Sequence, residues 1–290
     1  MRIQKFIADC GVCSRRAAEQ KILQGSVLVN GKPAQIGQTI DPEKDRVICD
    51  KKRIHLKVCS KQYFMFYKPR GVITSMKAQD DRSVVADLIA GIKGRVYPVG
   101  RLDRDSEGLL LLTDDGEAAQ KLMHPSHNIW KTYRVTVKGK PAAEVLDKLR
   151  QGVQIDEQTI TQPAQVEIHS QTEDKTVLHI SIHEGKNRQI RRMCEQLGLE
   201  ISLLKRIAFG PLHLGHMAPG AYRPLTDKER DELLRSIDID PQTKIKSDRR
   251  PAHLHAAPKN NRYVTAKQKK ASMKSVYERR FLKQFSSKKK

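Results

Sequence analysis

The chain has 290 residues, a formal net charge of +22 and an isoelectric point of about 9.9. That length suffices for two domains, or for one large domain with appendages. So large a positive charge favours a polyanionic partner, with nucleic acid first and an anionic membrane surface second. No apolar run approaches twenty residues, and the N-terminus lacks the apolar core of a signal peptide. We therefore expect a cytoplasmic protein that does not bind the membrane.

Two short helices and a hairpin are predicted within residues 1–60. Apolar residues share one face over 3–7, Ser14 can cap a second helix, and 27–31 is typical of a strand that ends in an Asn-Gly turn. One surface of this module is expected to be basic and to meet an anionic partner. The side chains that would do so are Arg15, Arg16, Lys21 and Lys32. A solvated basic helix is the alternative interpretation.

A second domain is predicted to begin at residue 61. Its first strand covers 63–67, and Pro69 ends it because proline cannot continue an internal ladder. Helical spacing of apolar residues predicts a helix over 84–92, with Val84, Val85, Leu88 and Ile89 on one face.

The stretch 99–114 holds a polar loop between two apolar runs that predict buried strands. Such a loop is a usual place for a reactive group, because the sheet holds it still. Asp103 follows the apolar Leu102, so we expect its carboxylate at the edge of the core, with Arg101 and Arg104 beside it. The alternative is a surface loop whose acids and bases only pair with one another.

Residues after this loop predict a helix to Met123 and then a strand over 132–137. Alternation places Tyr133 on the apolar side of the strand. The ring is either an ordinary core tyrosine or a platform that stacks on a nucleobase, since every base offers a π-face.

An amphipathic helix is predicted over 187–197. Arg188 and Arg192 lie opposite its buried stripe, toward solvent or phosphate. Arg191 lies at the edge of the stripe, from which an arginine can reach into a cleft while its stem packs.

The C-terminal part changes character after Asp240. Thr226 and Glu229 fit a capping box that starts a final helix to about Ser236. Residues 241–290 contain sixteen Lys and Arg side chains against two acidic ones. Apolar residues are sparse there, so the segment is expected to be disordered.

Metal ligands are not expected. Cys10 and Cys13 have the spacing of zinc ligands, but no second close pair completes a site. The odd count of five cysteines argues against a disulfide framework, and reduced thiols are expected. His183-Glu184 is followed by Asn187 where a zinc peptidase has its second histidine.

Four motifs in this chain resemble those of the RNA pseudouridine synthases, and in particular the RsuA/RluB/RluE/RluF type that modifies ribosomal RNA. In chain order they read YKPRG at 67–71, GRLD at 100–103 with GLLLLT at 108–113, KTY at 131–133 and EGKNRQIRRM at 184–193. The resemblance covers about residues 1–235. It implies that Asp103 is the catalytic residue, that Tyr133 is the active-site tyrosine and that Arg191 packs against Asp103.

The first module resembles the S4 domain, an RNA-binding fold that commonly precedes this catalytic domain, through IQKFI at 3–7, SRR at 14–16 and GSVLVNG at 25–31. Together the resemblances imply an α+β protein in three parts. These are an S4-like domain over 1–60, a catalytic domain over 61–238 built on a mixed, mainly antiparallel sheet, and a disordered basic tail over 239–290.

The implied activity is conversion of a specific uridine in ribosomal RNA to pseudouridine, with 23S RNA favoured over 16S. The glycosidic bond is broken at N1 and remade at C5, so redox state and atom count do not change and no cofactor is expected. Asp103 must be ionised to act, and a planar bidentate pair with Arg191 would orient it. Further RNA contacts are expected from Arg101, Arg104, Arg188 and Arg192.

Two other classes of function compete with this one. A non-catalytic ribosome-assembly factor of the same fold would bind RNA without Asp103, Tyr133 or Arg191, yet all three are present. A metal-dependent nuclease would need acids from several strands, whereas the acids here share one loop with two arginines. The expected partner is ribosomal RNA or a pre-ribosomal particle, bound by a monomer.

Overall fold

The computed structural model of the protein describes residues 1–56, 60–77 and 82–244. The helices are α1 (Ile3–Asp9), α2 (Arg15–Leu23), α3 (Val85–Leu88), α4 (Gly116–Met123), α5 (Ala143–Gln151), α6 (Gln189–Gln196) and α7 (Asp227–Arg235). The strands are β1 (Val27–Val29), β2 (Lys32–Pro33), β3 (Val47–Cys49), β4 (Lys52–Ile54), β5 (Tyr63–Lys68), β6 (Tyr97–Pro98), β7 (Glu107–Thr113), β8 (Lys131–Lys138), β9 (Gln154–Asp156), β10 (Thr159–Ile160), β11 (Gln165–Gln171), β12 (Lys175–Ile182), β13 (Ile201–Phe209), β14 (Leu212–His213) and β15 (Tyr222–Pro224).

The N-terminal module has a hydrophobic core of its own. Helices α1 and α2 pack on a four-stranded antiparallel sheet with the order β2-β1-β3-β4. Ser14 caps α2, since its hydroxyl accepts a hydrogen bond from the Ala17 amide at 3.1 Å. Asn30 and Gly31 have positive φ angles of 51° and 84°, as a tight hairpin turn requires. The predicted helices and hairpin are confirmed.

A nine-stranded sheet forms the second part. Its order is β11-β12-β8-β13-β7-β5-β15, with β14 paired to β13 and β6 paired to β7. Among the strands that the structure describes, all of these pairs are antiparallel except β13 with β7. The expected mixed, mainly antiparallel sheet is confirmed. Strand β7 is buried along nearly its whole length, so the loop that enters it starts from a rigid support.

The helix predicted over 84–92 is largely absent, and only the four residues of α3 are helical. Ile73 forms a β-bridge with Val84 and accepts a hydrogen bond from the Val85 amide at 2.9 Å. These contacts keep Val84 extended and start the helix late. At the edge of the sheet, β15 pairs with β5 in the antiparallel direction.

Helix α7 begins at the predicted capping box. The Thr226 hydroxyl accepts from the Glu229 amide at 3.2 Å, and the Glu229 carboxylate accepts from the Thr226 amide at 2.8 Å. Beyond the helix, Ile237 and Ile239 are buried in the main core. The folded region therefore continues past the expected limit at 238. The expected disordered tail, beyond residue 244, lies outside the described residues.

Within the described ranges, no helix combines the length and the apolar character needed to cross a membrane. The same residues contain no group of three His, Cys, Asp or Glu side chains arranged to hold a metal ion. Cys10 and Cys13 are free, partly buried thiols, and burial together with the neighbouring Asp9 raises the pKa of Cys10 to about 11.

Candidate active site

The loop between β6 and β7 carries Asp103 and is fixed on both sides of it. The Thr74 hydroxyl donates to the Leu102 carbonyl at 2.7 Å and accepts from the Leu102 amide at 3.2 Å. The Gly71 amide donates to the Arg104 carbonyl at 2.7 Å. Because these neighbours are held and Leu102 is buried, the Asp103 backbone has little freedom to move.

Gly108 allows the far end of this loop to lie directly against β13. A Cβ atom at this position would lie 2.2 Å from the carbonyl oxygen of Arg206, and the backbone φ is +109°. Arg206 is also the residue paired with Gly108 across the parallel ladder. Glycine is therefore required here by both the close approach and the backbone conformation.

Lys68 lies fully buried behind the loop. Its ammonium group donates to the carbonyl oxygens of Ser106, at 2.8 Å, and of Pro69, at 3.0 Å. Burial lowers the pKa of Lys68 to about 8, and the negative charges of Asp103, Glu107 and Asp105 oppose that shift. Lys68 thus ties the loop to the end of β5. It belongs to a motif quoted above, but the sequence interpretation gave it no role.

Two arginines flank the Asp103 carboxylate. Arg188 Nη1 lies 3.7 Å from Asp103 Oδ2, and Arg191 Nε lies 4.0 Å from the same oxygen. The expected bidentate pair between Arg191 and Asp103 is not formed. Instead, Arg191 Nη2 donates to the Asp105 carbonyl at 3.0 Å and to the Ser106 hydroxyl at 3.2 Å. Arg191 holds the backbone of the loop and only approaches the carboxylate.

Arg191 is largely withdrawn from solvent, with 17% of its side chain exposed. Burial and the nearby Arg188 charge lower the pKa of Arg191, and Asp103 opposes the shift. An arginine remains protonated in proteins, so the buried guanidinium keeps its positive charge beside the carboxylate.

Arg188 has an unusual backbone. It is the residue before α6, and its φ and ψ of 48° and 34° are left-handed. Helical periodicity from residue 187 predicted that it points away from the protein, toward solvent or phosphate. Because the helix begins at Gln189, that periodicity does not apply to Arg188, and its guanidinium turns toward Asp103.

Asp103 and Tyr133 line one cleft of about 720 Å³. Tyr133 is partly exposed and packs against two of the hydrophobic clusters of the sheet. Five basic side chains also line the cleft, namely Arg101, Lys131, Lys186, Arg188 and Arg206, of which Lys186 is paired with Glu184 at 2.6 Å. Arg191 is behind the loop rather than among the lining residues. The cleft therefore presents a carboxylate and an aromatic ring within a positively charged wall.

Lys131 and Arg206 are cleft residues that the sequence interpretation missed. Burial lowers the pKa of Lys131 to about 8, and the nearby Arg206 charge adds to the effect. Arg206 is 3% exposed, and its Nε donates to the Leu109 carbonyl at 2.7 Å. Its Nη2 is buried and has no hydrogen-bond partner among the described residues. Each of the two residues had a signal in the sequence. Lys131 is a basic residue on the same side of β8 as Tyr133, and Arg206 is a basic residue in the apolar run that forms β13.

The remaining predicted RNA-binding residues fall into two groups. Five are exposed, with Arg101 at the cleft and the others on the surface: Arg15, Arg16, Lys32, Arg101 and Arg104. Lys21 is instead paired with Asp50 at 2.6 Å.

Arg192 differs most from its predicted role. Its Nη2 donates to the Asp156 carboxylate at 2.6 Å and to the Ile155 carbonyl at 2.8 Å. These bonds hold the pKa of Asp156 at about 2, with the Arg192 hydrogen bond as the largest cause. The guanidinium thus braces α6 against β9, and it is not a free phosphate ligand.

This arrangement suits acid–base or nucleophilic chemistry on a flat, uncharged ring. The two guanidinium groups lie 3.7 and 4.0 Å from Asp103 Oδ2, so they place positive charge beside the carboxylate without forming a short ion pair with it. One third of the Asp103 side chain, 32%, is exposed and so accessible to a reactant. An aromatic ring in the same cleft can hold a base by stacking.

Two families match the chain. Residues 62–196 match the RNA pseudouridylate synthase family, and residues 1–47 match the S4 domain family. Both matches agree with the motifs on which the resemblance was based.

Individual proteins match over most of the chain. Ribosomal large subunit pseudouridine synthase B of Bacillus subtilis (strain 168) is 43% identical over 235 residues, which cover 80% of this chain and 95% of that protein. An uncharacterized RNA pseudouridine synthase of Aquifex aeolicus (strain VF5) is 37% identical over 241 residues, which cover 82% of this chain and 96% of that protein. A crystal structure of a pseudouridylate synthase superimposes with a TM-score of 0.57 at 31% identity, over 80% of this chain and 99% of that one. The chain therefore belongs to the RNA pseudouridine synthases, isomerases that act on RNA, and it carries the S4 domain of the RsuA/RluB type.

Proposed function

We propose that this enzyme isomerises one uridine of the large-subunit ribosomal RNA, with Asp103 as its catalytic residue. The observation that carries the proposal is the position of Asp103, which is in a basic cleft with Tyr133 and flanked by two guanidinium groups. The large-subunit substrate is supported by the Bacillus subtilis relative, whose name assigns it to that subunit. We infer that the enzyme acts as a monomer in the cytoplasm, on free ribosomal RNA or on a pre-ribosomal particle.

The target uridine cannot react while it is stacked in RNA, so it must be turned out into the cleft. There the Tyr133 ring stacks on the uracil. The N1–C1′ bond breaks, the ring turns, and a C5–C1′ bond forms. The proton lost from C5 balances the proton gained at N1. Attack at C1′, attack on the ring and proton removal from the sugar all require Asp103 in its charged form.

Arg191 acts as a positioning residue in this proposal. Its hydrogen bonds to the Asp105 carbonyl and the Ser106 hydroxyl fix the loop, and its Nε adds positive charge beside Asp103. Arg188 supplies the second positive charge from the side of the cleft. Together they place two positive charges beside the Asp103 carboxylate.

The S4-like domain, proposed to span 1–60, supplies a second contact area on the RNA. Arg15, Arg16 and Lys32 are exposed there and can meet phosphates. Arg101 and Arg104 would extend the contact near the catalytic domain, proposed to span 61 to about 240. Phosphate contacts of this kind fix position and orientation, and they do not read sequence.

The deciding experiment is a pseudouridine map of ribosomal RNA from a strain that lacks this protein. We expect one large-subunit pseudouridine to disappear and to return with the wild-type gene. The Asp103→Asn variant should bind RNA and fold normally but fail to restore the modification. If Asp103→Asn restores it, the catalytic assignment is wrong. If no pseudouridine is lost although growth or ribosome assembly suffers, a non-catalytic assembly role is favoured instead.

A further inference from the structure

Lys131 is the first residue of β8, two positions before Tyr133, and alternation along a strand places both side chains on the same face of the sheet. Both residues line the catalytic cleft. Their partners across the ladder to β13, Phe209 and Arg206, line it as well. The Lys131 side chain is therefore part of the cleft wall, about 7 Å along the strand from Tyr133.

The positive charge of Lys131 is weakly compensated. Its Nζ donates to the carbonyl oxygens of His183 and Glu184 at 3.3 and 3.5 Å, and both distances are long for a hydrogen bond. The Glu184 carboxylate is already bound by Lys186 at 2.6 Å and by Gln189 at 2.5 Å. Across the part of the chain that the structure describes, no carboxylate forms an ion pair with Lys131.

Arg206 brings a second cation to the same place. After burial, the Arg206 charge is the next cause of the lowered pKa of Lys131, so the two groups are close enough to repel each other. Arg206 is 3% exposed, and its Nη2 lacks a hydrogen-bond partner among the described residues. Two neighbouring cations and a spare donor cost stability in the free protein, and together they indicate a site for an anion.

A phosphodiester group is the anion that fits this position best. The edge of a uracil ring is neutral, so its carbonyl and N–H groups do not require two cations. Each nucleotide of the RNA carries one charged phosphodiester, and lysine is a common phosphate ligand because its ammonium group acts as a point charge with three donors. If Tyr133 holds the base, the backbone that flanks the base must pass close by.

We propose that Lys131 binds a phosphodiester group next to the target uridine, with Arg206 supplying a second positive charge. The inference rests on the proposed function, in which the uridine is turned out into this cleft. It adds a contact that holds the nucleotide by its backbone while Tyr133 holds the base. A contact of this kind fixes position and affinity, and it takes no part in breaking the N1–C1′ bond.

Substitution of Lys131 tests the protein side of the contact. Pseudouridine formation is measured on an unmodified transcript of the large-subunit RNA. Lys131→Met should raise KM about tenfold, as expected for one charged hydrogen bond, and leave kcat nearly unchanged. Lys131→Arg keeps the charge and should recover most of the loss. Lys138→Met is the matched control, because Lys138 is on the same strand but on its other face, in an exposed pair with Glu200 that contributes little.

A neutral linkage in the RNA tests the same contact without altering the protein. Hairpins that contain the mapped uridine carry one methylphosphonate, either at its 5′ or at its 3′ linkage. One of the two hairpins should raise the wild-type KM by about the same factor as Lys131→Met. On that hairpin Lys131→Met should cause no further loss, because the charge that it contacts is already gone.

Three results would overturn the inference. The first is a wild-type KM for Lys131→Met, and the second is a full additional loss for Lys131→Met on both hairpins. The third is a loss confined to kcat, which would place the Lys131 charge at the departing uracil instead of the phosphate. Failure of the proposed function looks different, because the wild-type enzyme itself would then form no pseudouridine in the transcript.

Discussion

Arg188 Nη1 lies 3.7 Å from Asp103 Oδ2, and this contact depends on a left-handed backbone at Arg188, with φ at 48°. A side-chain-bearing residue in that conformation costs about 1–2 kcal/mol, and such strain is often stored at functional sites. The strained conformation begins α6 and aims the guanidinium at the carboxylate. Stability and activity should therefore respond in opposite directions when Arg188 is replaced.

Arg188→Gly should raise the free energy of unfolding by up to about 1 kcal/mol, because glycine adopts the left-handed region freely. The same change should slow pseudouridine formation, because it removes a positive charge beside Asp103. Urea unfolding and single-turnover rates measure the two effects. Arg188→Lys is the control, since it keeps both the strain and the charge. A glycine variant that works at the wild-type rate would show that Arg188 is dispensable for catalysis.

Arg191→Lys should lower the isomerisation rate about 10- to 100-fold, the loss expected for one charged hydrogen bond. An ammonium group cannot both bind the Asp105 and Ser106 oxygens, as Arg191 does, and approach Asp103 from a second nitrogen. Overall RNA affinity should change little, which nitrocellulose filter binding would check. Arg192→Lys is the matched control, because Arg192 bonds to Asp156 instead. Equal rate losses in the two variants would argue for a general effect on α6.

Tyr133→Phe keeps the ring, so base stacking should survive the change. Tyr133→Leu keeps most of the volume, which matters because Tyr133 packs against two core clusters. Loss of the aromatic face should weaken productive binding by about 1–3 kcal/mol. Comparison of kcat/KM for the two variants, with melting temperatures to correct for packing, is the measurement. The stacking role is rejected if the two variants are equally impaired.

Lys68→Met should change how stability depends on pH. The pKa of buried Lys68 is lowered to about 8, below its value in the unfolded chain. Between pH 8 and about 10.5 the unfolded state therefore binds more protons, and this group makes the protein more stable as pH rises. The unfolding free energy of wild type minus that of Lys68→Met should thus grow across the window, by on the order of 1 kcal/mol per pH unit.

Chemical denaturation at several pH values provides this comparison. Taking the difference between the two proteins removes the contribution of Cys10 and Cys194, whose pKa values burial raises to about 11 and about 12. Lys68→Met should also reduce activity at every pH, because it removes the hydrogen bonds to the Ser106 and Pro69 carbonyls. A constant difference in stability from pH 8 to 10 would mean that Lys68 is not the titrating group.

Truncation after Lys244 should weaken RNA binding most at low salt and leave the modified uridine unchanged. The cut spares Ile237 and Ile239, which are buried in the core. Each Lys or Arg that meets a phosphate contributes about −0.7 to the log–log salt slope on single strands, so four or five contacts would reduce the slope by about 3. RNA affinity against salt for both proteins tests the electrostatic role, which an unchanged slope would refute. A shifted pseudouridine would show that the segment selects the site.

The central loop and the alternating strand could be predicted from the sequence because both are local patterns. Two apolar runs on either side of Asp103 indicated buried strands; the second forms the buried strand β7, whereas the first forms only the two-residue strand β6, which is partly exposed. Alternation placed Tyr133 with the buried valines of β8, as observed. The capping box of Thr226 and Glu229 was likewise recognisable, because its hydrogen bonds join residues three positions apart.

The electrostatics of the site could not be predicted in the same way. Lys68 and Arg206 occur in apolar runs, and only carbonyl oxygens from distant parts of the chain make their burial tolerable. Arg188 was misplaced because helical periodicity was extended by one residue beyond the helix. The bidentate pair expected from Arg191 was wrong because the guanidinium is taken by the loop backbone. Such partners are fixed by tertiary structure and leave no local pattern.

The close approach of Gly108 to Arg206 has a consequence for when the enzyme becomes active. Residues on the two strands that meet here, such as the hydrogen-bonded Leu109 and Arg206, are 97 positions apart in the chain. Contacts between such distant residues form only after a large loop has closed. During synthesis, the Asp103 loop therefore gains its contact with β13 only after that strand has left the ribosome, later than its bonds to Lys68 and Arg191 can form. A nascent chain that stops short of residue 206 would carry every catalytic residue proposed here and still lack the support that β13 gives to the end of the loop.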